Sequence, residues 1–247
     1  MLMPARFTSN HLYPTSDGKP MAETDRHRQI MVDLIESLKV HFADDPNTYV
    51  TGNLLLFYDR GNKRRHLSPD CFVVFGVPND ERLNYLTWEE GRCPDVVFEI
   101  TSSSTRHEDT RRKFERYRDV LRVKEYFLFD PYEDYLSPSM QGYRLRAGQY
   151  VAIRPQAGRL PSQQLGLHLE RDESELRLWN PASGERLPTV QEIAEAERQR
   201  ADDMELRADA QQQRAEAERA RADAAEAELA RLRSRLQPQG NGNGKHS

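Results

Sequence analysis

The sequence predicts an α/β (α+β) domain with a mixed sheet, followed by one long charged helix. Three observations carry that prediction. Apolar runs of strand length alternate with amphipathic helical stretches up to about residue 180. Gly and Pro punctuate the same region, whereas residues 189–236 contain neither. Averages of 37% hydrophobic and 31% charged residues hide a split: branched and aromatic residues concentrate in the first part, and Ala, Glu, Arg, Gln and Asp make up nearly all of the last. The first part can therefore bury a core and the last cannot.

Taken in order, residues 1–21 are rich in Pro, Ser and Gly and read as an extended lead-in. In "ETDRHRQIMVDLIESLKVHF", Ile30, Leu34, Ile35 and Leu38 fall at helical spacing and predict an amphipathic helix. "TYVTGNLLLFYDRGNKRRHLSPDCFVVFGVP" predicts two strands joined by a turn at Gly61-Asn62, and "CPDVVFEITSSST" predicts the next strand. "RHEDTRRKFERYRDVLRV" is helical, with Phe114, Tyr117, Val120 and Leu121 on one face. "KEYFLFDP" is a short apolar strand that stops at Pro131, and "GYRLRAGQYVAI", "LGLHLERD" and "LRLWNPASGERL" supply a β-rich end.

Residues 189–236 have excellent helix propensity. Leu187, Ala194, Ala201, Ala208, Ala215, Ala222, Leu229 and Leu236 recur every seventh position. The companion seam of Val190, Met204, Ala225 and Leu232 is interrupted by Glu197, Gln211 and Glu218, so the pattern is that of a weak coiled coil. It fits a homodimer, a partner protein, or a solvated helix. The expected organisation is a lead-in at 1–21, a main domain at 22–188, the helix at 189–236 and a disordered tail at 237–247. Cys71 and Cys93 make neither a disulfide framework nor a zinc motif, and both read as buried small side chains. No signal-like apolar stretch and no membrane-length run occurs, so a cytoplasmic protein with no membrane association is expected. A net charge of -4 confines any nucleic-acid site to a local patch.

The chemistry-bearing feature is a set of acids on apolar strands. Glu99 follows "VVF" and precedes Ile100, inside a run that otherwise reads as core, where an unpaired carboxylate costs several kcal/mol. Asp95 shares its face and is an additional candidate for the site, but lies roughly 13 Å away along a strand, too far to hold one ion directly with it; a Pro-Asp step at a strand start also serves simply to end a loop. Asp70, in "SPDCFVVF", becomes the nearer partner if the two strands pair, since cross-strand neighbours come within about 5 Å. Two carboxylates at that separation suit a hard cation such as Mg²⁺. The hydroxyl run Ser102, Ser103, Ser104 and Thr105 lacks a nucleophile elbow and reads as a strand end and helix cap. P-loop and HExxH patterns are absent.

Pro69-Asp70 followed by Glu99 resembles the PD-(D/E)XK nuclease pattern. "PDVVFEITSSSTRHEDTRRKFERYRDVLRVKEYFLFDP" resembles the Uma-two family of restriction-endonuclease-like proteins, and the resemblance extends over roughly residues 22–180, including "YVTGNLLLFY", "SPDCFVVFGVP" and "GYRL". It implies a restriction-endonuclease-like mixed central sheet flanked by helices, with Asp70 and Glu99 as metal and catalytic acids, Mg²⁺ as cofactor (Mn²⁺ as a substitute) and DNA as substrate. The general pattern expects lysine two residues after the second acid, where this chain has Thr101; the resemblance assigns the role to Lys113 on the following helix. In the implied mechanism the cation polarises the scissile phosphate and activates water, and the lysine orients that water or offsets charge in the transition state. Arg106, Arg111, Arg112 and Arg116, with Arg118, Arg122 and "NKRR" at 62–65, would contact phosphates; a solvated outer face balanced by Glu108, Asp109, Glu115 and Asp119 is the other reading. Relatives' "ELIDGEL"-like acidic segment has no counterpart here, and Asp25, His27 and Glu36 on the first helix are alternatives for its role. The implied function is a metal-dependent endonuclease. The rival is a catalytically silent module of the same fold that binds nucleic acid or protein through its C-terminal helix.

Overall fold

The structure, a computed structural model, describes residues 13–16, 24–102 and 105–236. The expected lead-in, apart from 13–16, and the expected disordered tail at 237–247 lie outside the described residues. The chain divides after Val190 into two compact units.

In the first unit, α1 (Asp25–His41) is capped by Thr24, whose hydroxyl accepts from the His27 N–H. Its stripe is Ile30, Met31, Leu34 and Leu38, all buried. Leu34 and Leu38 are each worth about 1.5–3 kcal/mol of burial. The stretch expected to give two strands gives four: β1 (Thr48–Thr51), β2 (Leu56–Phe57), β3 (His66–Leu67) and β4 (Cys71–Phe75). The cause is a break at Gly52-Asn53. Asn53 takes a left-handed φ of 51° and its N–H bonds to the Pro69 carbonyl at 2.8 Å, which turns the chain out of one sheet and into another.

After β5 (Tyr85–Leu86) and the single turn α2 (Thr87–Glu90) comes β6 (Val96–Ile100), then two helical segments of wide, π-type turns, Glu108–Lys113 and Arg116–Val120. They are followed by β7 (Glu125–Phe129), the hairpin β8 (Met140–Arg146) and β9 (Gln149–Ala152), and β10 (Leu160–Pro161), β11 (His168–Asp172), β12 (Glu175–Asn180) and β13 (Glu185–Arg186).

The main sheet runs β1-β4-β6-β7-β8-β9. Its pairs are antiparallel except β6 and β7, which are parallel and therefore joined by a crossover, here the two π-type segments. One face is covered by α1 and the small sheet β10-β11-β12-β13, through Leu160, Leu169, Leu176 and Leu178. The other packs Tyr49, Phe72, Val97 and Leu128 against Tyr117 and Leu121 of the crossover and Leu56 and Tyr85 of the sheet β3-β2-β5. With both faces covered, β6 and β7 are buried at every residue, which is why they read as continuous apolar runs.

Three expectations change. Val120 is exposed, not on the packed face: the Leu121 N–H bonds back five residues to the Arg116 carbonyl, and such wide turns keep residues four apart in line while carrying the three-apart residue off the stripe. Leu187 lies before the long helix, its N–H bonded to the Leu178 carbonyl, so the seven-residue seam begins later. Cys71 is fully buried but Cys93 only half so, at the rim before β6. In the second unit, α3 (Val190–Leu236) is continuous. Among the described residues no helix is long and apolar enough to cross a membrane.

Gly52 is the position where the backbone of Asp70 comes closest. A Cβ there would lie 1.9 Å from the Asp70 carbonyl oxygen and 2.6 Å from the Ile35 Cδ1. Gly52→Ala is expected to cost at least about 1–3 kcal/mol in urea denaturation, because backbone and core must both shift. An unchanged midpoint would show that the β1 end is not in this contact.

Candidate active site

Among the described residues five acids are buried, all on or beside the main sheet, and their partners sort them. Asp95 accepts from the Phe75 N–H at 2.8 Å and pairs with Lys124 at 2.6 Å. Glu125 accepts from the N–H groups of Gln163 and Gln164 and pairs with Arg144. Asp130 accepts from the N–H groups of Tyr132, Tyr135 and Leu136. These three acids satisfy backbone donors and fasten loops, an ordinary structural use of a carboxylate. Glu99 and Asp109 differ. Each is 1% exposed, and neither receives a backbone N–H among the described residues.

The β4–β6 register, with Cys71 opposite Phe98, continues one step to set Asp70 opposite Glu99. Asp70 Oδ2 accepts from the Ile100 N–H at 2.6 Å, and its Oδ1 lies 3.2 Å from His27 Nε2. Thus of the three first-helix alternatives, His27 is the one beside Asp70, brought there because the Thr24 cap starts α1 over the head of β4. Glu99 Oε2 accepts from Lys113 Nζ at 2.8 Å and Oε1 from the Tyr117 hydroxyl at 2.6 Å. Lys113 Nζ also lies 3.0 Å from Asp109 Oδ1. Asp109, Lys113 and Tyr117 are successive four-residue steps, so one side of the crossover presents acid, ammonium and phenol to Glu99.

The structure thus brings Asp70, Glu99 and Lys113 together and leaves Asp95 at the opposite end of β6. Thr101, at the position where lysine was expected, is buried, and its hydroxyl has no hydrogen-bond partner among the described residues. Arg106, Arg111 and Arg112 are exposed, Arg112 lying 3.9 Å from Glu108, and Arg116 is half-buried. Sequence reading missed two residues. In the sequence Asp109 reads as an outer-face charge and Tyr117 as an apolar-face residue; the available signal is their placement four residues either side of Lys113.

Electrostatics follow from crowding. Burial pushes the Glu99 carboxyl well up from its ordinary 4.5, with Lys113 opposing and Asp70 and Asp109 adding to the rise. Burial likewise raises Asp109 from 3.8, again opposed by Lys113. Burial works against the Lys113 ammonium, but the carboxylates of Glu99, Asp109 and Asp70 outweigh it and the pKa rises. Burial and the Glu99 charge raise Tyr117, which keeps its proton and remains a donor. Three carboxylates therefore share one ammonium.

One family model, described as "Uma2: Putative restriction endonuclease", matches residues 7–176. Among solved structures, the chain is similar to a "putative nuclease belonging to DUF820" from Anabaena variabilis ATCC 29413. That match has 17% identity and a TM-score of 0.45, covering 62% of this chain and 80% of that one. No curated protein matches the chain.

The cluster predicts a stability with a definite pH sign. Glu99 and Asp109 retain protons in the folded state that the unfolded chain releases above 4.5 and 3.8, so their contribution falls as pH rises through the raised values. Lys113→Met, which leaves buried carboxylates without their ammonium, is expected to cost about 3–5 kcal/mol at neutral pH. Urea denaturation should show that gap narrowing toward acid pH as the acids protonate; an equal gap throughout would assign the loss to packing rather than charge.

Proposed function

Because the chain belongs to the Uma2 family over residues 7–176, we propose that it is a metal-dependent endonuclease that hydrolyses phosphodiester bonds in DNA, with Asp70, Glu99 and Lys113 as its catalytic residues. The observation that carries the reading is the contrast among the buried acids: three are satisfied by backbone donors, while Glu99 and Asp109 are gathered around a lysine 12% exposed at the surface.

The residues fit a hard divalent cation. Acidic charge exceeds the ammonium that offsets it, the hydroxyl of Thr101 is buried without a hydrogen bond among the described residues, and Asp70 stands opposite Glu99 with its side chain 14% exposed. Among the described residues no three His, Cys, Asp or Glu side chains form a preformed cage. A pair of carboxylates is nevertheless sufficient for Mg²⁺, which keeps several waters and completes its shell with substrate phosphate. Asp70 and Glu99 would hold the ion, with Mn²⁺ as a substitute, and it would supply Lewis acidity toward the scissile phosphate.

The protein's own groups do the rest. A lysine ammonium has three donors; Glu99 and Asp109 engage two, leaving one for a phosphate oxygen or the attacking water. Asp109 and Tyr117 are positioning residues: the first fixes the ammonium, and the second fixes the Glu99 carboxylate by donating to Oε1. His27 steadies Asp70. Arg106, Arg111, Arg112 and Arg116 on the same crossover, and the exposed Lys63, Arg64 and Arg65 on the turn leading into β3, would bind backbone phosphates without reading sequence. The rival, a silent module of the same fold, is favoured by Thr101 in the usual lysine position.

Cleavage of supercoiled and single-stranded DNA with Mg²⁺ or Mn²⁺ tests the proposal. Glu99→Gln and Asp70→Asn should each lower the rate by about 10²–10³-fold or more, and EDTA should abolish it. In the same preparations, Mg²⁺ should raise the melting temperature of wild type and not of Glu99→Gln. Wild type that neither cuts nor responds to the ion would establish the silent module instead. Tyr117→Phe should lower the rate while leaving Mg²⁺-dependent stabilisation in place, because it removes a donor to Glu99 and no ligand.

A further inference from the structure

We propose that α3 forms a parallel, in-register, two-stranded coiled coil with a second copy of this chain. The helix runs unbroken for 47 residues, about 70 Å at 1.5 Å per residue. Met204, Leu229 and Leu232 are 70%, 54% and 47% exposed, so its apolar residues are presented outward. Ala194 and every seventh residue to Leu236 form one continuous small or apolar column, which makes these the a positions of a heptad repeat. The d column alternates in quality: Met204, Ala225 and Leu232 are apolar, while Glu197, Gln211 and Glu218 interrupt it. The association is therefore weak, and strongest over residues 222–236, where Ala222, Ala225, Leu229, Leu232 and Leu236 follow without a polar break.

The flanking charges choose the partner and its direction. The g positions are Arg200, Arg207, Arg214, Arg221, Glu228 and Arg235; the e positions are Arg198, Glu205, Gln212, Arg219, Glu226 and Arg233. In a parallel pair each g residue meets the e residue five positions later in the other copy. That opposes Arg200 to Glu205, Arg221 to Glu226 and Glu228 to Arg233, with Arg207 facing Gln212 and only Arg214 facing a like charge in Arg219. An antiparallel pair sets g against g, which is arginine against arginine almost throughout. Among the described residues, Arg200, Arg207, Arg214 and Arg221 make no ion pair along their own helix, which leaves these guanidinium groups for the other strand. A second copy supplies the complement at the same register; a strongly basic or strongly acidic partner helix would not satisfy both signs at e and g. This inference stands independently of the nuclease reading.

The test uses the full chain. Sedimentation equilibrium from micromolar to millimolar concentration should show a concentration-dependent dimer. The triple variant Glu205→Arg, Glu226→Arg and Arg233→Glu opposes like charges at those g–e pairs and should be monomeric. So should the triple variant Arg200→Glu, Arg221→Glu and Glu228→Arg. Mixed in equal amounts, the two should dimerise again, because each then meets its complement; circular dichroism should show both variants as helical as wild type. Ala222→Cys should form a 222–222 disulfide under mild oxidation, with wild type as the control for Cys71 and Cys93. A wild type that stays monomeric, variants that dimerise as wild type does, a mixture that fails to associate, or an Ala222→Cys dimer that does not cross-link would each overturn the proposal.

Discussion

A carboxylate inside a fully covered strand must be compensated, and the Glu99 side chain is the point from which the rest of the first unit can be understood. It sits in β6 with every neighbouring strand residue buried. No backbone donor neutralises it; an ammonium, a phenol and the facing Asp70 define its surroundings. The ammonium and the phenol come from the crossover and Asp70 from the head of β4, so compensating one charge ties together β4, β6 and the crossover, and through His27 also α1. Burying an ion pair is weak evidence for stability, since desolvation offsets most of the attraction. Three acids around one ammonium are less economical still, and an arrangement that costs stability is the kind found where a protein does chemistry.

The topology makes this convergence automatic once β6 and β7 are parallel. A parallel pair requires a crossover that lies on the sheet, and this one lies on the face toward which Asp70 and Glu99 point. Its wide turns align Asp109, Lys113, Tyr117 and Leu121, so the segment that closes the core through Tyr117 and Leu121 also carries the lysine to Glu99. Lys113 from the crossover thereby occupies the neighbourhood that a lysine at position 101 would reach from the strand itself. Thr101, on the same face as Glu99, is left with a hydroxyl too short to take part in that pairing.

The second unit follows the opposite physical rule. Its composition cannot bury a core, and its helix rests on propensity and on local polar pairs such as Gln212 with Glu216 and Gln191 with Glu195. Information in such a segment lies in its period rather than its hydrophobicity. A seven-residue column of alanines with signed neighbours specifies direction and register more than it specifies strength.

Local pattern in the sequence was enough to determine the strand-and-helix order, the mixed sheet, the long final helix and the oddity of an acid inside "VVFEI", because burial on two faces, helical period and charge in an apolar run are local signals. The facing of Asp70 and Glu99 could be stated only as a condition, since strand pairing joins residues 29 positions apart; the β4–β6 register decided it. The antiparallel pair β2 and β3 does flank the expected Gly61-Asn62 turn, but its separation from β1 and β4 was invisible, for so short a run has no period and the break after β1 depends on Asn53 reaching the Pro69 carbonyl. Asp109 looks the same in sequence whether it faces water or Glu99. Only the packing of the crossover on the sheet, which fixes the rotation of that helix about its axis, decided that it is buried while Glu115 and Asp119 are exposed. The choice of His27 over Asp25 and Glu36 was likewise tertiary, because all three share one helix and its rotation against the sheet turns His27 toward Asp70 while leaving the Asp25 side chain exposed and Glu36 paired with Lys39. Sequence determined which residue types were available for a site; the three-dimensional register and helix rotation decided which of them share one charge balance.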